Sequence, residues 1–288
     1  MPYFIVFIFA GISITALLQL AIHLGFRAPR NKETGNPKDL FGIDYLQLHI
    51  PIYAGKQLFA WLLPVSESSE TLIILHGWGS NAQLMLPIAI PFHEAGINII
   101  MFDARNHGGS DSDTFSSLPR FTEDIESVID WVKLEHPDRS ERIAILGHSV
   151  GAGAVLFAAS KRKDVAAVIS ISAFADPEWM MQRYLKKFYF PLAIRKSVIR
   201  YEEWVIGHRF ASFSPLTTVC NINCPILIVH GKNDETVPVE DARAIIASCP
   251  KPQLNLLEIE NASHDSVEKI EQHCLQLINF LRVSGFHI

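Results

Sequence analysis

Six short apolar runs, each breaking off at a polar or glycine-bearing cluster, constrain this chain more than any other feature. They are "TLIILHG" from Thr71, "INIIMFD" from Ile97, "RIAILGHS" from Arg142, "VAAVISIS" from Val165, "PILIVHG" from Pro225 and "LNLLEIE" from Leu254. Apolar runs of this length suit strands buried on both faces. The longer segments between them include helical patterns: Phe121, Ile125, Val128, Ile129 and Val132 fall on one helical face. Strands alternating with helices imply right-handed crossovers and a mostly parallel central sheet with helices on both faces. Functional groups then belong at the C-terminal ends of the strands. Ahead of the first run, Leu46, Leu48 and Ile50 alternate with Gln47 and His49, and "KQLFAWLLPV" returns after Ala54 and Gly55, so the domain opens with an antiparallel hairpin.

The run from Arg142 leads into "GHSVGAG", which places Ser149 between Gly147 and Gly151 at the junction of an expected strand and an expected helix. A sharp strand-to-helix turn lifts a serine hydroxyl above the sheet, and flanking glycines relieve the crowding such a turn creates. A serine hydroxyl is a poor nucleophile at neutral pH. It needs an imidazole to take its proton, and the imidazole needs a carboxylate to fix its tautomer. Candidates follow in chain order. "ILIVHGKNDETVP" puts Asp234 after a later strand, with Glu235 beside it and Asp176 after an earlier strand as competitors, and "IENASHDS" puts His264 after the last strand. "LIILHGWGSN" leaves its strand through a tight turn at Gly77 and Gly79 that can aim the Trp78 N–H into the same space; the Val150 N–H follows the serine. Two such donors make an oxyanion pocket. His76, Asp103, Arg105 and His107 read as scaffolding for the loops that carry them.

In combination, "HGWGSN", "FDARNHGGSD", "GHSVG", "SPLTTVCNINCPILIVHGKNDETVP" and "ASH" run in one order from roughly Tyr45 to Leu281. That series resembles the α/β-hydrolase superfamily, in particular its membrane-anchored and monoglyceride-lipase-like esterases of the serine aminopeptidase S33 type. The resemblance implies an α/β-hydrolase fold with a small helical cap inserted at about 174–214. It implies a triad of Ser149, Asp234 and His264, oxyanion donors at Trp78 and Val150, and hydrolysis of a small-molecule or lipid ester through an acyl-enzyme, with no metal and no cofactor. An acyltransferase, thioesterase or peptidase using the same triad is the alternative. Ala152 departs from the pattern, where many relatives have a second glycine; alanine still permits close packing.

From Pro2 to Phe26 the chain carries no Asp, Glu, Lys or Arg. At ~1.5 Å per residue that stretch is long enough to cross a ~30 Å hydrocarbon layer. Residues 1–26 are therefore expected as a single-pass N-terminal transmembrane helix, 27–43 as a polar linker and 44–288 as the catalytic domain. Arg27, Arg30, Lys32 and Lys38 follow the span and nothing basic precedes it, which places the domain in the cytoplasm. A net charge of -5 excludes nucleic acid as partner. Cys220, Cys224, Cys249 and Cys274 are too few for a disulfide scaffold and lack zinc spacing, and are expected as ordinary thiols. Between Ala173 and Ser214, Trp179, Met180, Met181, Tyr184, Phe188, Tyr189 and Phe190 mix with basic residues, a composition that suits either a lid with an interfacial face or plain helical core.

Overall fold

The computed structural model describes residues 27–288 together with Ser13, Gln19 and Leu20. The expected membrane span over residues 2–26 lies, those three apart, outside the described residues. Among the described residues no helix is long and apolar enough to cross a membrane.

The chain order is α1 (Pro37–Phe41), β1 (Leu46–Pro51), β2 (Gln57–Leu63), β3 (Glu70–Leu75), α2 (Leu86–Glu94), β4 (Asn98–Phe102), α3 (Leu118–Glu135), β5 (Arg142–His148), α4 (Val150–Lys161) and β6 (Ala167–Ile171). It continues with α5 (Pro177–Lys187), α6 (Leu192–Ile206), α7 (Pro215–Thr218), β7 (Ile226–Gly231), α8 (Val239–Ser248), β8 (Leu254–Ile259), α9 (Val267–Glu271) and α10 (Cys274–Val283). All six apolar runs are strands. They assemble with the opening hairpin into one eight-stranded sheet of order β1-β2-β4-β3-β5-β6-β7-β8. β1 and β2 run antiparallel to their neighbours, and the other pairings are parallel.

Because side chains alternate across a strand, the sheet sorts its apolar residues into two cores. Ile73, Leu75 and Ile145 meet Phe121, Ile125 and Val128 of α3 on one face. Leu72, Ile74 and Leu146 meet Leu86, Ile88 and Phe92 of α2 and Leu277 and Leu281 of α10 on the other. The winding direction reverses at β3, which lies between β4 and β5. Ligand sites in open α/β sheets form at that reversal, beyond the carboxyl ends of the strands.

Two expectations are corrected. The segment 27–43 is not a free linker: it contains α1, capped by the Asn36 side chain, and much of it is hydrogen-bonded to the domain. Nor are the cysteines all thiols. Cys220 and Cys249 form a disulfide, their Cα atoms 5.5 Å apart, while Cys224 and Cys274 are free. Cys220 leads into β7 and Cys249 closes α8, so packing that β–α unit brings together two residues whose spacing of 29 in sequence carries no sign of pairing.

The insertion between β6 and β7 folds as the helical pair α5 and α6. Trp179, Phe188 and Tyr189 are exposed, whereas Met180 and Met181 pack on the core and line the cavity beneath.

Candidate active site

Ser149 sits between β5 and α4 with φ 55° and ψ −116°. A non-glycine residue in that region costs of order 1–3 kcal/mol and persists only where its surroundings overdetermine it. Here the Ser149 N–H donates to Ile171 O at 2.9 Å and the Gly153 N–H donates to Ser149 O at 3.2 Å. The two glycines of the motif are required by contact: a Cβ on Gly147 would lie 2.2 Å from Gly151 O, and one on Gly151 would lie 2.4 Å from His76 O.

The structure brings Ser149, His264 and Asp234 into one chain of hydrogen bonds. His264 Nδ1–H donates to Asp234 Oδ2 at 2.7 Å, which leaves Nε2 to accept from the Ser149 hydroxyl at 2.9 Å. The other oxygen of Asp234 accepts from the Thr236 and Val237 N–H groups at 2.9 and 2.7 Å. Burial alone would raise the Asp234 pKa, but bonds from His230, His264 and Val237 outweigh it and hold the carboxyl well below the usual range. It is therefore ionised at neutral pH. The competing acids are elsewhere. Asp176 caps α5, accepting from the Glu178 N–H at 2.7 Å and from Ser214 Oγ at 2.9 Å, and Glu235 is exposed.

Trp78, Ser149 and Val150 line one cavity. Val150 is the first residue of α4, where N–H groups have no intrahelical acceptor. Gly77 comes so close to the serine that a Cβ on it would lie 3.1 Å from Ser149 Cβ. The Gly77 carbonyl accepts from His76 Nδ1–H at 2.6 Å and from the Ser80 N–H at 3.2 Å. A trans peptide points its N–H away from its carbonyl, so these two bonds turn the Trp78 N–H to the opposite side. Among the described residues neither the Trp78 nor the Val150 N–H has an acceptor.

His76 and His148 carry more than their place in the sequence suggests. His76 Nε2 accepts from the Ala104 N–H at 3.0 Å, which fixes the proton on Nδ1. Burial, with His107 nearby, pushes its pKa down to about 3. His148 donates from Nε2 to His264 O at 2.9 Å, bracing the loop that carries His264, and burial with the neighbouring His264 pushes it down to about 4. The only signals for these two are position: one opens the glycine turn, the other precedes the serine. Asp103, Arg105 and His107 are scaffolding. Asp103 accepts from the Ala82 and Gly109 N–H groups, both at 2.8 Å, and Arg105 Nε donates to the buried Asp124 at 2.6 Å. Among the described residues one group of metal-ligand type is close together, His148, His264 and Asp265 within 4.8 Å. Both histidines are already engaged in the bonds above.

Over Ser149 and His264 opens a cavity of about 1600 Å³ walled by Phe174, Met180, Met181, Phe210 and Phe213, with Arg27 to Arg30 on its rim. Glu202 of α6 also lines it, and burial pushes its carboxyl up to about 8.

Residues 66–209 match the profile of the serine aminopeptidase S33 family. An uncharacterized 31.7 kDa protein of Escherichia coli is 27% identical over 245 residues, covering 70% of this chain and 86% of that protein. An uncharacterized membrane protein of Saccharomyces cerevisiae is 23% identical over 249 residues, covering 86% and 83% respectively. Among solved structures, an esterase of Pyrococcus furiosus superposes with a TM-score of 0.72 at 23% identity, covering 89% of this chain and 98% of that one; the likeness is one of fold.

Proposed function

The chain belongs to the serine aminopeptidase S33 family of α/β-hydrolases, and from that premise we propose that it cleaves carboxylic esters through an acyl-enzyme formed on Ser149. Ser149 Oγ attacks the ester carbonyl as His264 Nε2 takes its proton. The same proton passes to the departing alcohol. Water then enters, gives a proton to Nε2 and attacks the acyl carbonyl, and Oγ leaves with that proton as the acid is released. Asp234 keeps the Nδ1–H tautomer and stabilises the imidazolium. The Trp78 and Val150 N–H groups receive the oxyanion, each such donor being worth ~3 kcal/mol in the barrier.

The observation that carries this reading is the pair of bonds through His264, 2.9 Å to Ser149 and 2.7 Å to Asp234. The apolar cavity supports an ester with a lipophilic acyl group, and the esterase of like fold supports the bond type. Attachment to a membrane through residues 2–26 belongs to the same reading. It is supported by the uncharged run and by the yeast relative's description as a membrane protein. The basic residues after the run favour a cytoplasmic domain, whereas a disulfide belongs to oxidising compartments. Finding Cys220–Cys249 intact in protein from living cells would move the domain to the oxidising side.

The test combines a fluorophosphonate probe with two substrate series. The probe should label Ser149, and Ser149→Ala should abolish both labelling and turnover without unfolding the chain. Nitrophenyl esters should be cleaved faster than aminoacyl anilides; the reverse order would make the protein a peptidase. Net acyl transfer to an added alcohol in place of hydrolysis would make it a transferase.

A further inference from the structure

The stretch between the apolar N-terminal run and the domain is fastened across the active site. Asn31 Nδ2–H donates to Gly79 O at 2.8 Å, and Asn81 Nδ2–H donates back to Asn31 O at 3.1 Å. Pro29 packs on Gly79 so closely that a Cβ there would lie 2.9 Å from the proline ring. Arg30 reaches the loop after β4, donating to Ser110 O at 2.6 Å and Asn106 O at 3.3 Å, and Gln83 Oε1 accepts from the Thr34 and Gly35 N–H groups at 2.7 and 3.0 Å. Glu33 places its carboxyl within hydrogen-bond reach of Asp103, the buried residue that already holds the Ala82 and Gly109 N–H groups. Arg27 to Arg30 line the cavity over Ser149.

We propose that residues 27–36 are a strap that completes the active site: Asn31, clasped by Asn81, holds the Gly77–Gly79 turn and with it the Trp78 N–H in the attitude that receives the oxyanion, while Pro29 and Arg30 close one wall of the cavity. The inference rests on the hydrolase reading above. Local bonds from His76 and Ser80 hold the Gly77 end of the turn, whereas Gly79, with a left-handed φ of 69°, has its carbonyl held by Asn31 from 48 residues away. Asn31, Asn81 and Glu33 are positioning residues; none of them reaches the reacting atoms. The Glu33–Asp103 contact also sets a proton condition. Burial, followed by the neighbouring Glu33 carboxyl, pushes Asp103 up to about 8, and a protonated Asp103 can donate to Glu33 across the space beside Gly108. Among the described residues the Asp103 carboxyl also accepts from the Ala82 and Gly109 N–H groups, and Arg30 acts instead on His107. The contact is fully present below the ordinary aspartate range, is eroded as pH rises and is lost as pH passes about 8.

The experiment uses the full chain and nitrophenyl acetate, a substrate too short to depend on the cavity wall. Asn31→Ala and Asn31→Ala/Asn81→Ala should lower kcat by about tenfold, a part of the 10²–10³ that removing an oxyanion donor costs, with KM unchanged and Ser149 still labelled by fluorophosphonate. Lys38→Ala, which breaks only an exposed pair with Asp44 on the same segment, should leave kcat unchanged. The wild type should lose kcat as pH passes about 8. Glu33→Gln, nearly isosteric and able to donate its amide N–H to an ionised Asp103, should abolish the fall, and it tests the strap even where Asn31→Ala unfolds. Labelling with unchanged kcat in the Asn31 variants, or an alkaline fall that survives Glu33→Gln, overturns the strap alone. Absence of labelling in the wild type overturns the hydrolase reading and the strap with it.

Discussion

The two halves of the site are held by different means. On the His264 side, Asp234 draws two of its bonds from N–H groups two and three residues further along the same turn. On the Trp78 side, the glycine turn is secured by Asn31 from 48 residues away, and the histidine that orients it is secured by Ala104 from 28 away. The carboxylate comes nearly ready-made with one β7 loop, while His264 meets it from 30 residues on and is braced by His148 from 116 away. The Trp78 side exists only once β3, β4 and the N-terminal strap have all come together. The setting of the acid is thus close to a local property of a motif, whereas the oxyanion turn is a property of the tertiary structure, and the two should respond differently to damage.

The largest contrast is expected at the carboxylate. Asp234→Asn should lower kcat by on the order of 10⁴-fold, because it withdraws the acceptor that fixes the imidazole tautomer. Asp176→Asn should cost no more than about 1 kcal/mol of stability as a weakened helix cap, with kcat little changed. A reversed ranking in steady-state kinetics would move the acid to the β6 loop. On the other half, His76→Phe keeps a ring but removes the bond to the Gly77 carbonyl and the one His76 accepts from Ala104, leaving only Ser80 on that carbonyl. It should lower kcat by about 100-fold with little change in KM, and a change confined to KM would break the distinction drawn here.

A smaller effect concerns acid stability. Asp234 is held below its ordinary value, so its contribution is complete above the unfolded aspartate value near 3.8 and is lost as pH falls through the folded one. Acid titration followed by circular dichroism should show a shallower loss of stability below about pH 4 for Asp234→Asn than for the wild type. Smallest for activity is the double change Cys220→Ser/Cys249→Ser. It should lower stability by about 3 kcal/mol through the released loop, read by urea unfolding, while kcat stays near wild type.

Much of this was legible. The strands are apolar runs bounded by glycine and polar residues, and the elbow at Ser149 is written in small residues that a Cβ would violate. Asp234 and His264 could be named because each follows a strand directly. What escaped shares one physical cause: it depends on pairings distant in sequence. Glu33 against Asp103, Asn31 against Gly79 and Cys220 against Cys249 leave no period, run or spacing behind. Segment 27–43 is polar and rich in turn formers, so composition alone reads it as a tether; its hydrogen bonds make it part of the domain.

The Cys220–Cys249 bridge has a mechanical consequence. It closes a covalent ring containing β7, the Asp234 turn and α8. Pulled from its two ends, the chain can surrender the strap, the hairpin and both flanking layers, but the ring stays out of reach of the applied force. Roughly 100 Å of contour is withheld, at 3.3–3.6 Å per residue over that separation. An extension trace that falls short by this length until reductant is added would place Asp234 inside the part of the molecule that tension alone cannot lengthen.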